Sequence, residues 1–116
     1  MKALNFMKMG RLHEYQKEVG ACAKKFKFHW SNYVQFMHLV EEVGELGEAI
    51  TVCEGDRKSG SGNQALADHA DVHEELGDVL FALLQLGNQL KVNAEEALAA
   101  TLKRYEKKLK NYKVKS

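Results

Sequence analysis

The chain has 116 residues, 45 % of them hydrophobic and 28 % charged, with a net charge of +1. That suits one globular domain over residues 1–116 with a single core, excludes a disordered chain, and leaves total charge pointing to no class of partner. No apolar run approaches the roughly 20 residues that span a bilayer, and the stretch 1–16 lacks a secretory hydrophobic region, so a cytoplasmic protein with no membrane partner is expected.

Proline is absent, which permits long helices, and β-branched residues never alternate for long, which disfavours strands. The first helix is expected over about Leu4–Lys25. The segment "KFKFHWSNY" (Lys25–Tyr33) follows, with Phe26, Phe28, Trp30 and Tyr33. A second helix is expected over Ser31–Cys53, capped by Ser31 or Asn32. Its end meets "EGDRKSGSGN" (Glu54–Asn63), which reads as a loop. A third helix is expected over Gln64–Lys91. The fourth begins at Asn93, an N-cap, with Glu95 and Glu96 in the first turn where the helix dipole favours acids. So short a link makes the last two helices expected antiparallel neighbours. Cys22 and Cys53 form no CxxC or zinc-ligand spacing and read as small core residues.

Charge is unevenly distributed. Between Glu41 and Asp78 lie eleven of the sixteen acids and only two basic residues, Arg57 and Lys58. The tail from Lys103 to Lys115 carries seven basic residues and one acid, Glu106. An acidic middle with basic ends suits a cation site with anion-binding groups near it.

On a helical wheel, Leu39, Val43, Leu46 and Ile50 form one apolar stripe of the second helix, with Glu42 and Glu45 along its flank. Glu41 and Glu48 point further out. On the third helix Leu76, Val79, Leu83, Leu86 and Leu90 form the stripe, and Glu75 and Asp78 take the same flank. If the stripes pack together, the four carboxylates converge at the edge of the core. Like charges so placed raise one another's pKa, and a divalent cation relieves them. Oxygen-only ligands suit Mg²⁺ or Mn²⁺. Gly44, Gly47 and Gly77 beside them would allow helices or a ligand to approach closely. No Glu-x-x-His stands at any of the five histidines, which argues against a di-iron bundle. His73, just before the second acidic pair, is a weaker candidate for ligand contact than for surface packing.

"EEVGE" (Glu41–Glu45) followed on the next helix by "EELGD" (Glu74–Asp78) resembles the EExxE…ExxD signature of the MazG-like, all-α nucleoside triphosphate pyrophosphohydrolases. The resemblance runs from about Trp30 to Leu109, taking in "EELGDVLFALLQLGNQL" and "NAEEALAATLKRYEKKL". It implies an all-α, four-helix bundle-type fold that assembles as a homodimer or homotetramer. The implied reaction is Mg²⁺-dependent cleavage of (d)NTP to monophosphate and pyrophosphate. Carried over, Glu42, Glu45, Glu75 and Asp78 are metal ligands, and Glu41 is a further ligand or the group orienting water. The stretch "RYEKKL" (Arg104–Leu109) matches the family's basic stretch on the last helix, making Arg104 and Lys108 triphosphate contacts and Lys107 the nearer alternative. Lysines stand where arginines are usual, so point charges replace bidentate forks. The 29 residues between the two motifs are many for this family, and the glycine-rich loop accommodates them.

Trp30 is a candidate for stacking on a nucleobase, with Asn32 and Asn88 as weaker base or sugar contacts. Three other readings stay open: a catalytically silent nucleotide- or metal-binding module, a helical oligomerisation domain, and a nucleic-acid binder using the basic tail. The acidic middle speaks against the last.

Overall fold

The computed structural model of the chain describes residues 10–27, 29–55 and 69–114. They form four helices: α1 (Arg11–Lys25), α2 (Asn32–Cys53), α3 (His69–Leu90) and α4 (Ala94–Val114), with no strand among the described residues. The all-α expectation is met. The expected helical stretches Leu4–Met9 and 64–68, and loop residues 56–63, lie outside the described residues. No described helix is long and apolar enough to cross a membrane.

Helix boundaries follow from capping chemistry. Gly10, expected inside the first helix, instead starts α1 at φ 67°. It has no side chain with which to cap, and the carboxylate of Glu95, from the first turn of α4, accepts from the His13 amide at 2.9 Å. A Cβ at Gly10 would collide with that carboxylate. Ser31 caps α2, its Oγ accepting from the Val34 amide at 3.2 Å. Asn93 caps α4, its Oδ1 accepting from the Glu96 amide at 3.0 Å. Each cap satisfies an N–H that has no partner within its helix.

α2 and α3 pack antiparallel, as three contacts along their length show. Gln89 Nε2 donates to the Trp30 carbonyl and to Asn32 Oδ1, both at 3.0 Å. Gln35, buried in the first turn of α2, donates to the Ala82 carbonyl at 3.1 Å. Further along, Glu42 meets Glu75 and Asp78.

The expected pairing of the last two helices does not form: α4 packs on α1 instead. The reason is Gln16, a buried residue of α1. Its Nε2 donates to the Val92 carbonyl and its Oε1 accepts from the Ala94 amide, both at 2.8 Å. One glutamine thus holds both ends of the α3–α4 link and directs the chain toward α1. Asn88 of α3 completes the joint by donating to the Gln16 carbonyl at 3.0 Å. It does so over Gly20, where a Cβ would stand 2.9 Å from its Nδ2.

Among the described residues the buried apolar set is mostly small: Ala23, Ala49, Val52 and Ala82, with Leu84. This corrects the expectation that the two wheel stripes form the core. Val43, Ile50, Leu76, Leu83 and Leu90 remain exposed, while Leu39, Leu46, Val79 and Leu86 are half-buried. Three helices in contact cover only one side of the α2–α3 pair, and the stripes extend beyond it. Cys22 and Cys53 are free and half-buried rather than core residues.

Candidate metal centre

The antiparallel register of α2 and α3 sets the i, i+3 pairs of the two helices against each other. Ligand oxygens of Glu42, Glu75 and Asp78 all lie within 4.8 Å of one another. Glu45 stands outside that tight group but close enough to act electrostatically on both Glu42 and Glu75. Glu41 projects outward, its side chain 72 % exposed.

Within the cluster, Glu42 Oε1 and Glu75 Oε1 are buried and have no hydrogen-bond partner. A buried acceptor without a donor is uncommon, because it forfeits water and gains nothing in return. The Glu42 carboxyl is pushed above its ordinary value first by burial and then by Glu45, with a smaller contribution from Asp78, while His38 pulls it down. The Glu75 carboxyl is pushed up by burial and then by Glu45, Asp78, Glu42 and Glu74. Both shifts share two causes, burial first and then the negative charge of neighbouring carboxylates. An all-oxygen donor set with unsatisfied lone pairs fits a hard divalent cation such as Mg²⁺, which prefers carboxylate and water oxygens.

The other candidates are placed less compactly. Trp30 is half-exposed and meets the ring of His38 edge-on, with centroids 4.9 Å apart. His38 itself lies between Trp30 and the acids, with Nε2 3.3 Å from Glu42 Oε2 and Nδ1 3.7 Å from Glu41 Oε1. Sequence reasoning missed His38 because it looked for a glutamate three residues before each histidine. The informative signal runs the other way, with glutamates three and four residues after it. His73 is exposed on α3.

Arg104, Lys107 and Lys108 line a shallow surface of α4 together with Tyr105 and Asn111. Arg104 donates to Thr101 Oγ1 on its own helix at 3.1 Å. Because α4 packs on α1, the structure does not bring these basic residues onto the carboxylates of α2 and α3 within one chain. Asn88 lies ten residues, about 15 Å of helix, from Asp78. Its Nδ2 is engaged by Gln16 and by Gln85 Oε1, which makes it part of the helix joint rather than the acidic edge. Asn32 likewise has its Oδ1 taken by Gln89. Gly44, Gly47 and Gly77 face open space, so among the described residues no helix uses their lack of a side chain.

Comparison with known proteins bears on the family and the fold. The family described as the MazG nucleotide pyrophosphohydrolase domain matches residues 33–112. The YpjD protein of Bacillus subtilis (strain 168) is 33 % identical over 87 residues, covering 74 % of this chain and 75 % of its own. A crystal structure of YpjD from Bacillus subtilis superposes with a TM-score of 0.70 at 30 % identity, covering 83 % of this chain and 95 % of that one. A Bacillus-conserved MazG protein, a nucleotide pyrophosphohydrolase, superposes with a TM-score of 0.67 at 28 % identity, covering 83 % and 89 %. With the family match spanning residues 33–112, most of the chain, the chain belongs to the MazG nucleotide pyrophosphohydrolase family.

Proposed function

We propose that the chain hydrolyses nucleoside triphosphates, (d)NTP to (d)NMP and pyrophosphate, with Mg²⁺ held by Glu42, Glu45, Glu75 and Asp78. The observation that carries this reading is the meeting of Glu42, Glu75 and Asp78 around two buried, unpartnered carboxylate oxygens. When bound, the cation neutralises the triphosphate and activates water for attack. Mn²⁺, with similar oxygen preference, would serve in its place.

In this reading water adds to the α-phosphorus, the bond from that phosphorus to the bridging oxygen breaks, and pyrophosphate leaves. The protein's part is positioning and charge stabilisation rather than covalent chemistry. Glu41, outermost of the acids, orients the water or adds a ligand oxygen. Trp30 offers an aromatic face for the base at the entrance to the acidic edge. Arg104, Lys108 and Lys107 supply positive charge to the phosphates, and a second copy of the chain is the source from which they would reach the site.

A homodimer or homotetramer is supported by what one chain leaves uncovered. The stripes of α2 and α3 are half-exposed, and on α4 Leu98, Leu102, Tyr105, Leu109 and Tyr112 are all exposed. These five recur at intervals of four and three, the spacing of a helix seam that packs on another helix. Patches of this extent mark an interface. The cytoplasm, where nucleotides are held, is the expected compartment, and removal of non-canonical nucleotides suits such an activity.

Incubation with Mg²⁺ and a panel of canonical and modified NTPs and dNTPs, with chromatographic separation of products, tests the reading. Monophosphate plus pyrophosphate, absent in Glu42→Ala, is expected, and the best substrate names the base. No turnover with Mg²⁺ or Mn²⁺ would overturn it in favour of a silent binding module. Sedimentation at several concentrations tests the assembly, with a monomer throughout as the contrary result.

A further inference from the structure

We propose that His38 is a positioning residue for Glu42, fixing which carboxylate oxygen is offered to the cation, and that Trp30 fixes the His38 ring in turn. This rests on the metal reading above.

The geometry forms a chain of contacts that starts outside the acidic cluster. Gln89 of α3 holds the Trp30 carbonyl at 3.0 Å and Asn32 Oδ1 at 3.0 Å, which pins the segment entering α2. The Trp30 ring stands edge-on to His38, 4.9 Å between centroids at an interplanar angle of 69°. His38 Nε2 then lies 3.3 Å from Glu42 Oε2. The two oxygens of Glu42 are thereby distinguished. Oε2 has the imidazole beside it, and Oε1 is buried without a partner.

A glutamate side chain has several rotamers, and ordering it costs conformational entropy. Repulsion from Glu45 and Asp78 also acts to turn Glu42 away. An imidazole nitrogen 3.3 Å from Oε2 opposes both effects before any cation arrives. Partners of this kind, one step removed from a metal, set affinity by about 10- to 100-fold. A lysine at this position would place a fixed positive charge against the cation. An imidazole supplies a donor with less reach and a flat ring that Trp30 can seat.

Two substitutions separate donor from ring. His38→Phe keeps an aromatic ring against Trp30 and removes the nitrogen. His38→Gln removes the ring and keeps a terminal N–H donor near the position of Nε2. Mn²⁺ affinity, by calorimetry without nucleotide, is the readout, and circular dichroism checks the fold. Affinity is expected to fall about 10- to 100-fold in His38→Phe and to return close to the parent value in His38→Gln. Emission from Trp30, the single tryptophan, is expected to change on Mn²⁺ addition in the parent protein and in neither variant, because only His38 both meets Trp30 and reaches Glu42. Unchanged affinity in His38→Phe overturns the inference while leaving the metal reading intact, and so does equal loss in both variants, which would make His38 a packing residue. A parent protein that binds no Mn²⁺ overturns the metal reading and this inference with it.

Discussion

α3 takes part in two polar clusters about three helical turns apart, and they are built on opposite terms. At the joint with α1, Gln16 has both amide atoms and its carbonyl engaged, by Val92, Ala94 and Asn88. At the edge shared with α2, Glu42 and Glu75 each keep a buried oxygen with no partner, and both carboxyls are pushed up by burial and by the charge of neighbouring acids, Glu45 first among them. Folding normally supplies a partner to every polar atom it buries. The joint obeys that rule and so holds the helices together. The acidic edge breaks it, and the proposed cation is what would make up the deficit.

The largest expected effect comes from altering the edge. Glu75→Gln should lower the rate of nucleotide hydrolysis by more than about 100-fold, because removal of a ligand should exceed the loss from removing a ligand's partner. The same change should raise the thermal midpoint of the metal-free protein, since it removes one of several crowded negative charges. Product chromatography and a thermal melt on one sample decide the matter. A slower enzyme that is also less stable would mean that Glu75 serves the fold.

The joint should respond in the opposite way. Gln16→Leu leaves the Ala94 amide and the Val92 carbonyl without their partner. At about 1–3 kcal/mol for each group left unsatisfied, and with both groups only part-buried, stability should fall by roughly 2–4 kcal/mol, the lower part of the range. Urea unfolding at fixed protein concentration measures this, with Mn²⁺ affinity of the folded fraction unchanged. A loss below about 0.5 kcal/mol would show that water replaces the glutamine and that the joint is not what directs α4.

These two clusters were unequally legible in the sequence. Four helices could be read because proline is absent and because Ser31 and Asn93 stand where caps belong, and both act as caps. The acidic pairs could be read because i, i+3 spacing fixes a common helix flank. The joint could not, since a glutamine reaching two backbone groups across the fold has no period to detect. The wheel stripes misled for a related reason. Periodicity shows that Val43, Ile50, Leu76 and Leu83 share a face with core residues, but not whether the surface that covers them belongs to the same chain. The two ends of α4 divide similarly: Glu95 found its partner in α1, while Leu102 and Leu109 stay exposed.

A gentler way to sharpen the contrast is pH. The Glu42 and Glu75 carboxyls lie above their ordinary value of 4.5 in the folded protein. Below that value both groups are protonated whether the chain is folded or not, and they carry no penalty. As pH rises through 4.5 the unfolded chain releases these protons first, so the folded state loses stability until its own raised values are passed. The metal-free protein should therefore lose part of its stability between about pH 4.5 and neutrality, relative to Glu75→Gln measured in parallel. Millimolar Mg²⁺ at pH 7 should restore it. If the two melting curves stay parallel across that range, the edge is not under charge strain.

The smallest expected effect concerns the turn that sets where α4 begins. Lys91 ends α3 at φ 61°, in the left-handed region. Its amide donates to the Asn88 carbonyl at 3.1 Å, and the next amide, of Val92, reaches back to the Gly87 carbonyl at 2.9 Å. This is the paired hydrogen bonding of a Schellman motif, in which the left-handed position is usually glycine. A side chain there costs roughly 1–2 kcal/mol, and glycine's greater freedom in the unfolded chain offsets about 0.5–1 kcal/mol of that. Lys91→Gly should then stabilise the protein by about 0.5–1 kcal/mol, read by urea unfolding. Because the turn also presents Val92 and Ala94 to Gln16, the gain should persist only while that glutamine is present. In a Gln16→Leu background a gain of the same size would show that the turn forms by its own backbone preference. A smaller gain would show that α1 shapes it, and that the satisfied cluster acts on the path of α4 as well as on stability.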